Sequence, residues 1–461
     1  MMPDGMARTD FAVKLSQGGR ELRVWCALGV IALAIAGLAA PILALSRVPG
    51  VENVFPWPVA AFEKGLVVHV VFSFVVWFLC AFGALAHLST LSVAQDSVKA
   101  GPLGRVGLAM VAAAFPLLLV PAFLDRGEPT LNNYVPAIID PLYDAGLLFL
   151  ATGIALVAAR LLVNLAPRFG QADPLDKAMG AAAVIYLSAL LAFGVAYVQL
   201  GDQARDYTYN EDLFWGGGHI LQFLNALLMI VAWQRLSGMA LGKRALGGRT
   251  LVSAAALLLI PAVCSPLIYG LSEPFSGEQT RAFTLMQYAL APAALLVMAA
   301  LLPAWTRAAN QGLRGGDPAR LCLILSPLVF AVGAFLGLFV DGADTRTPAH
   351  YHGVIAGINI AFFGLYLTLF LPMMGRAIAF GRASRALVWL FGIGQLAAAI
   401  GLFIAGGYGA PRKAAGAEQG LTDLGAQLGL YLNGIGALFA VIGGVMFVVI
   451  TARALLRKTP D

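Results

Sequence analysis

Five histidines carry the sharpest chemical signal in this chain of 461 residues: His69, His87, His219, His350 and His352. Imidazole titrates nearest to neutrality of all side chains and is a common metal ligand. Four of the five fall close to the ends of apolar runs, within about two turns if those runs are helical. The pair His350–Tyr351–His352 constrains geometry further. Residues two apart on a helix point about 200° from one another, so one ion cannot take both rings, whereas two groups on opposite sides of the helix can. His87 stands apart, 18 residues after His69 on the same run. That is about 27 Å along a helix, and a snorkelling or helix-packing role is expected for it. A single histidine near a helix end is an ordinary interfacial residue. Four on one side, on helices spaced four apart, are harder to explain in that way. Ionisable groups within a membrane are functional candidates, and imidazole is a ligand of haem iron.

The elements that must position these rings are membrane helices. Sixty per cent of the residues are hydrophobic and only 12 % are charged, about half the charged share of an ordinary soluble domain. Twelve apolar runs are long enough to span a bilayer: 22–46, 65–93, 102–123, 141–165, 178–201, 213–234, 250–272, 282–305, 319–340, 348–375, 386–407 and 425–452. Backbone polar groups must be satisfied internally in lipid, which leaves helices as the form such runs take. With the N-terminus inside, the inner segments hold 22 of the 30 Lys and Arg. Asp125, Glu128, Asp202, Asp206, Glu211, Asp212, Asp341 and Asp344 fall in outer segments. The expectation is therefore an all-α integral membrane protein of twelve transmembrane helices, N-in and C-in. Residues 1–20 would be a cytoplasmic tail without a cleavable signal, 21–455 the membrane domain, and 456–461 a second tail. The net charge of +6 lacks the basic runs that nucleic acid requires. Cys26, Cys80, Cys264 and Cys322 form no CxxC pair and read as core packing.

These residues resemble subunit I of the haem–copper oxidase and nitric oxide reductase superfamily over essentially the whole chain. In that family a second-helix histidine and one member of a tenth-helix HxH pair clamp a low-spin haem, and the other member ligates a high-spin haem where gas is reduced. Ala349–His350–Tyr351–His352–Gly353 matches that pattern. The resemblance implies that His69 and His352 hold the low-spin haem and His350 the high-spin haem. Trp215–Gly216–Gly217–Gly218–His219 resembles the sixth-helix motif whose histidine binds the non-haem metal. Arg412 and Lys413 stand in the last outer loop, where the family carries a basic pair that contacts haem propionates. An outer-loop basic pair without a ligand is the plainer reading.

One departure bears on function. The family places two adjacent histidines in the seventh-helix region, and Tyr269–Gly270–Leu271–Ser272–Glu273–Pro274–Phe275–Ser276 is the matching segment. On that register Phe275 and Ser276 stand where the histidines would be, so a three-histidine copper site cannot form. Glu273, Glu211 or Tyr269 could complete a harder, iron-like site around His219; otherwise His219 is a hydrogen-bonding residue over the second haem. Tyr269 is either the redox-active phenol of the oxidases or an interfacial tyrosine, and the position four after His219 is Phe223. No carboxylate is expected in the inner half of any helix, which disfavours proton pumping. Electrons would come from a donor subunit or a soluble cytochrome c or cupredoxin, and the expected location is the bacterial inner membrane. The leading expectation is a terminal respiratory reductase of oxygen or nitric oxide with an incomplete copper site. A dihaem electron-transfer, sensing or assembly protein is the alternative. A twelve-helix transporter is a third class, which predicts broken helices and a midplane site.

Overall fold

Apolar runs flanked by capping residues dictate the fold. The computed structural model describes residues 5–55, 61–94, 97–310, 317–340, 342 and 344–457. Twelve helices among them are long and apolar enough to cross a membrane. They are α1 (Gly5–Ser46), α2 (Phe62–Val93), α3 (Gly101–Phe123), α4 (Pro141–Arg168), α5 (Pro174–Leu200), α6 (Tyr207–Leu241), α7 (Gly248–Leu271), α8 (Gly277–Asn310), α9 (Pro318–Phe339), α10 (Arg346–Met373), α11 (Arg382–Gly407) and α12 (Leu424–Leu456). Every expected run is found. Many acids that the sequence places in loops are helix N-caps: Asp140, Asp173, Asp317 and Asp423 accept hydrogen bonds from backbone N–H groups of the first turns of α4, α5, α9 and α12.

The boundaries differ where a polar turn extends an apolar run. Asp206 Oδ1 accepts from Tyr209 N at 2.8 Å, and α6 starts at Tyr207, six residues before the apolar run begins. His219 therefore lies twelve residues inside α6, about 18 Å from its start, deeper than the two turns expected. Helix α1 begins at Gly5, inside the segment expected to be a tail, and its membrane-competent part begins at Gly18. Asp341 and residues 458–461 of the expected C-terminal tail lie outside the described residues.

The chain divides into two compact units. One comprises the chain up to Gly29, Val75–Arg235 and Arg244–Pro303; the other comprises Val30–Phe74, Leu236–Lys243 and the chain from Ala304 onward. In the second unit, α11 and α12 approach backbone to backbone. A Cβ on Gly401 would lie 2.4 Å from Asn433 N, and one on Gly436 2.4 Å from Ala398 N. Such small-residue seams replace the hydrophobic driving force that lipid does not supply. In the first unit α3 and α4 meet in the same way at Gly107 and Gly153.

The first unit also holds a buried ion cluster. Arg160 on α4 is 2 % exposed and donates to Glu21 of α1 through Nη1 at 2.9 Å and Nη2 at 2.5 Å. His87 donates from Nε2 to Gly18 O at 3.0 Å, and its Nδ1 accepts from Arg160 Nη2 at 3.2 Å. A Cβ at Gly104 of α3 would collide with Arg160 Nη1 at 1.7 Å, so glycine makes room for the guanidinium. His87 is thus a buried member of a helix-packing cluster, and snorkelling is ruled out by its 2 % exposure. Glu21 lies within α1 and Asp176 in the first turn of α5, so both stand inside helices that start before their apolar runs; Asp176 accepts from Ser92 Oγ at 2.9 Å. Cys264 is exposed on α7, whereas Cys26, Cys80 and Cys322 are buried.

Two outcomes follow. Glu21→Ala leaves the Arg160 charge buried without its partner and should cost about 3 kcal/mol, read as a lower thermal midpoint in detergent. Burial pushes the Asp173 carboxyl up, but paired hydrogen bonds from Arg244 Nη1, at 2.9 and 2.8 Å, outweigh it and hold the group below its ordinary range. A depressed carboxyl contributes stability above the unfolded value that is lost as pH falls through the folded one. The thermal midpoints of wild type and Asp173→Asn should therefore differ at neutral pH and converge below about pH 4.

Candidate functional site

Three imidazoles in the second unit are held in the same manner. His350 and His352 occupy the first two turns of α10, and His69 the second turn of α2. His350 donates from Nδ1 to Gly333 O of α9 at 2.8 Å. His352 donates from Nδ1 to Gln395 Oε1 of α11 at 3.3 Å. His69 donates from Nδ1 to Ala36 O of α1 at 3.0 Å. His350 thus leans on α9 and His352 on α11, as the 200° separation requires.

This arrangement fixes the tautomer. With the proton on Nδ1 and spent on a carbonyl oxygen, the Nε2 lone pair is the one able to meet an iron, and the hydrogen bond makes it a stronger donor. All three rings are only partly buried although they sit among helices. The donor chemistry fits haem iron at each. Glycines shape the bed of His350: Gly333 supplies the carbonyl and also meets Gly353 at backbone contact, while a Cβ on Gly337 would lie 2.5 Å from His350 Nδ1.

Basic groups gather near the start of α10. Thr345 N donates to Ala410 O at 3.0 Å, and Asp344 bridges to Pro411, so the loop carrying Arg412 and Lys413 is tied to the N-terminus of α10. Both side chains are partly buried. Arg412 and Arg47 interact electrostatically with Tyr351, the residue between the two histidines. Burial lowers the Arg47 guanidinium from its ordinary value, and Tyr351 opposes the shift. Arg47 was not singled out from sequence; its only signal is a basic residue directly after the first apolar run.

His219, in the first unit, is held differently. Its Nδ1 donates to Trp215 O at 2.8 Å, one turn back, and its Nε2 accepts from the Tyr134 hydroxyl at 2.9 Å. It is 2 % exposed. Trp215, Tyr134 and Phe283 surround the ring with centroids at 4.7, 4.6 and 6.3 Å. The three glycines before it each admit an aromatic side chain. A Cβ on Gly216 would meet Tyr269 Oη at 2.3 Å, on Gly217 the Phe193 ring at 2.3 Å, and on Gly218 the Tyr134 side chain at 2.5 Å. Tyr134 escaped the sequence reading because its loop looks like an ordinary polar connection.

Tyr269 is buried in the last turn of α7 and packs on Phe283 with centroids 5.0 Å apart. It belongs to the same aromatic cluster as His219, with Phe283 touching both rings. Phe275 and Ser276 lie beyond the end of α7: Phe275 has φ of 56°, and the Ser276 hydroxyl caps α8 by accepting from Gln279 N. Glu211 is engaged by Asn133, whose backbone N donates at 2.6 Å and whose side-chain amide also donates. Glu273 is exposed. Among the described residues no three His, Cys, Asp or Glu side chains gather as metal ligands.

The family model of cytochrome c and quinol oxidase polypeptide I matches residues 22–439. This chain belongs to the cytochrome c and quinol oxidase subunit I family. It is 27 % identical to an uncharacterised protein of Aquifex aeolicus over 74 % of this chain and 82 % of that one. It is 24 % identical to an uncharacterised protein of Rickettsia prowazekii, covering 94 % and 95 % of the two chains. Among solved structures it is similar to a heme-copper terminal oxidase dimer determined by cryo-EM, with a TM-score of 0.76, 14 % identity, and coverage of 96 % and 85 %. That likeness establishes the subunit I fold. The chain is an integral, multi-pass membrane protein of this family.

The glycine bed gives a direct test. On the dihaem expectation, Gly337→Ala should push the His350 ring off its Gly333 bond and lower haem from about two per chain toward about one after purification, with little change in the spectrum expected of a His69–His352 haem.

Proposed function

We propose that this subunit I homologue is a dihaem respiratory reductase of oxygen or nitric oxide that works without a three-histidine copper centre. The observation that carries the reading is the shared anchoring of His69, His350 and His352, each with Nδ1 spent on an oxygen and Nε2 left as the donor. His69 and His352 would hold a low-spin haem, and His350 a high-spin haem. When bound, the haems supply one-electron transfer and an iron able to bind a diatomic gas.

The chain's own residues orient and insulate. The α9 carbonyl of Gly333 and the α11 amide of Gln395 fix the two α10 rings so that their Nε2 atoms need no reorientation on binding. Arg412, Lys413 and Arg47 would neutralise propionates, Arg412 with the forked geometry that suits a carboxylate. Tyr269 would act as a packing residue of the His219 cluster rather than as a redox phenol, because Phe283 and Gly216 are its neighbours.

The reading is non-pumping. Two carboxylates, one near the start of the membrane-competent part of α1 and one in the first turn of α5, are already engaged: Glu21 is bound by two nitrogens of Arg160, and Asp176 accepts from Ser92. Protons for the reaction would then enter from the outer side. Electrons would arrive from a partner subunit or a soluble cytochrome c or cupredoxin, and the location would be the bacterial inner membrane. A second reading, a dihaem electron-transfer, sensing or assembly protein without turnover, is favoured by one observation: His219 Nε2 is occupied by Tyr134.

Reduced-minus-oxidised spectra with and without carbon monoxide separate these. Two haems, one responding to carbon monoxide, with uptake of oxygen or nitric oxide from an artificial donor, are expected. His350→Ala should remove the gas-responsive haem alone, and His69→Ala or His352→Ala the low-spin one. Absence of haem from the wild type would refute both readings; two haems without gas consumption would select the second.

A further inference from the structure

The nitrogen that would bind a non-haem metal is filled here from within the chain. His219 stands in the sixth-helix motif, and both of its ring nitrogens are engaged: Nδ1 donates to Trp215 O at 2.8 Å, and Nε2 faces Tyr134 Oη at 2.9 Å. Because Nδ1 carries the proton, Nε2 offers one lone pair, and the phenol O–H donates to it. We propose that the Tyr134 hydroxyl occupies the coordination position on His219 Nε2, so that this chain has exchanged a metal centre for an internal phenol–imidazole pair. The proposal deepens the copper-free part of the reading above and is independent of haem binding and of gas turnover.

Tyr134 is placed by a built element. Strands β1 (Glu128–Thr130) and β2 (Ala137–Ile139) pair antiparallel in the loop between α3 and α4 and carry Tyr134 near the tip of their hairpin. The tip is fastened at several points. Thr130 Oγ1 donates to Asn132 Oδ1 at 2.9 Å, Asn132 Nδ2 donates to Val135 O at 2.7 Å, and Asn210 of α6 donates to Thr130 Oγ1 at 2.9 Å. Glu211, one residue on, holds Asn133 by its backbone and side-chain N–H groups. So the helix that carries His219 also anchors the loop that delivers Tyr134. Tyr134 itself has φ of 63°, a left-handed conformation that a bulky residue keeps only where its surroundings over-determine it. Gly218 supplies the space, since a Cβ there would meet the tyrosine side chain at 2.5 Å.

Among the other candidate donors, Glu211 and Ser276 are committed elsewhere and Glu273 is exposed. Both Glu211 oxygens face Asn133. Ser276 caps α8. The Tyr269 ring packs against Phe283 and its hydroxyl against Gly216. One imidazole alone is a weak ligand set for copper, and here a metal would first have to displace a hydrogen bond inside an aromatic enclosure of Trp215, Tyr134 and Phe283. A second imidazole in place of the phenol would reverse that balance. Histidine also tolerates the left-handed backbone at this position better than most residues.

The test uses the purified full-length protein, incubated with Cu(II), freed of excess metal, and read by elemental analysis and copper EPR. Wild type and Tyr134→Phe should retain no more copper than His219→Ala. Tyr134→His should gain about one copper per chain with nitrogen ligation in its EPR spectrum, and should lose it again when combined with His219→Ala. Copper, or iron in excess of haem, that is stoichiometric in wild type and absent from His219→Ala would overturn the proposal. So would a Tyr134→His protein that keeps the wild-type thermal midpoint yet takes up no copper. Haem spectra recorded on the same samples report separately on the reading above.

Discussion

A histidine binds iron through the lone pair of one ring nitrogen, and a hydrogen bond from the other fixes which nitrogen that is and where it points. In this chain such hydrogen bonds run from Nδ1 to oxygens on neighbouring helices, Ala36 for His69, Gly333 for His350 and Gln395 for His352. The surrounding architecture serves these bonds. Gly333 and Gly353 let α9 and α10 approach closely enough for the His350 bond to form, and Gly337 leaves room for the ring. The Gly-lined seam of α11 against α12 fixes the helix that carries Gln395. In lipid, where apolar surface gains nothing from association, close backbone packing is the means by which such positions are held.

The same logic, applied to His219, gives the opposite result. Its Nδ1 is also tied down, but to its own helix, and its Nε2 is taken by Tyr134. Three glycines in succession on α6 bring three aromatic groups against the helix around it. A motif that resembles a metal-binding one is thereby packed as a closed aromatic cluster. Phe275 and Ser276 sit in a loop and a helix cap, beyond the end of α7.

Much of this was legible in the sequence. Hydrophobic runs set the twelve helices because the bilayer admits almost no other form, and the HxH spacing set the two-sided geometry of α10, which His350 and His352 realise by leaning on α9 and α11. What escaped was held in polar side chains acting at a distance. The start of α6 moved to Tyr207 because Asp206 caps it, a signal outside any apolar window. Tyr134 was invisible because its role depends on a hairpin 85 residues away from His219 in the chain. Glu21 stands just before the first apolar run, and only the fold reveals that it meets Arg160 and His87. Local pattern reports which face of a helix is apolar; it does not report which distant loop folds onto it.

The central claim is that three histidines present Nε2 to iron while a fourth presents it to a phenol. A cryo-EM map of the purified protein at side-chain resolution tests this most directly. The account predicts iron density at the Nε2 atoms of His69 and His352 and at that of His350, with Tyr134 in hydrogen-bond contact with His219 and no metal density between them. A metal peak on His219 Nε2 with Tyr134 swung away, or His350 without haem, would contradict it.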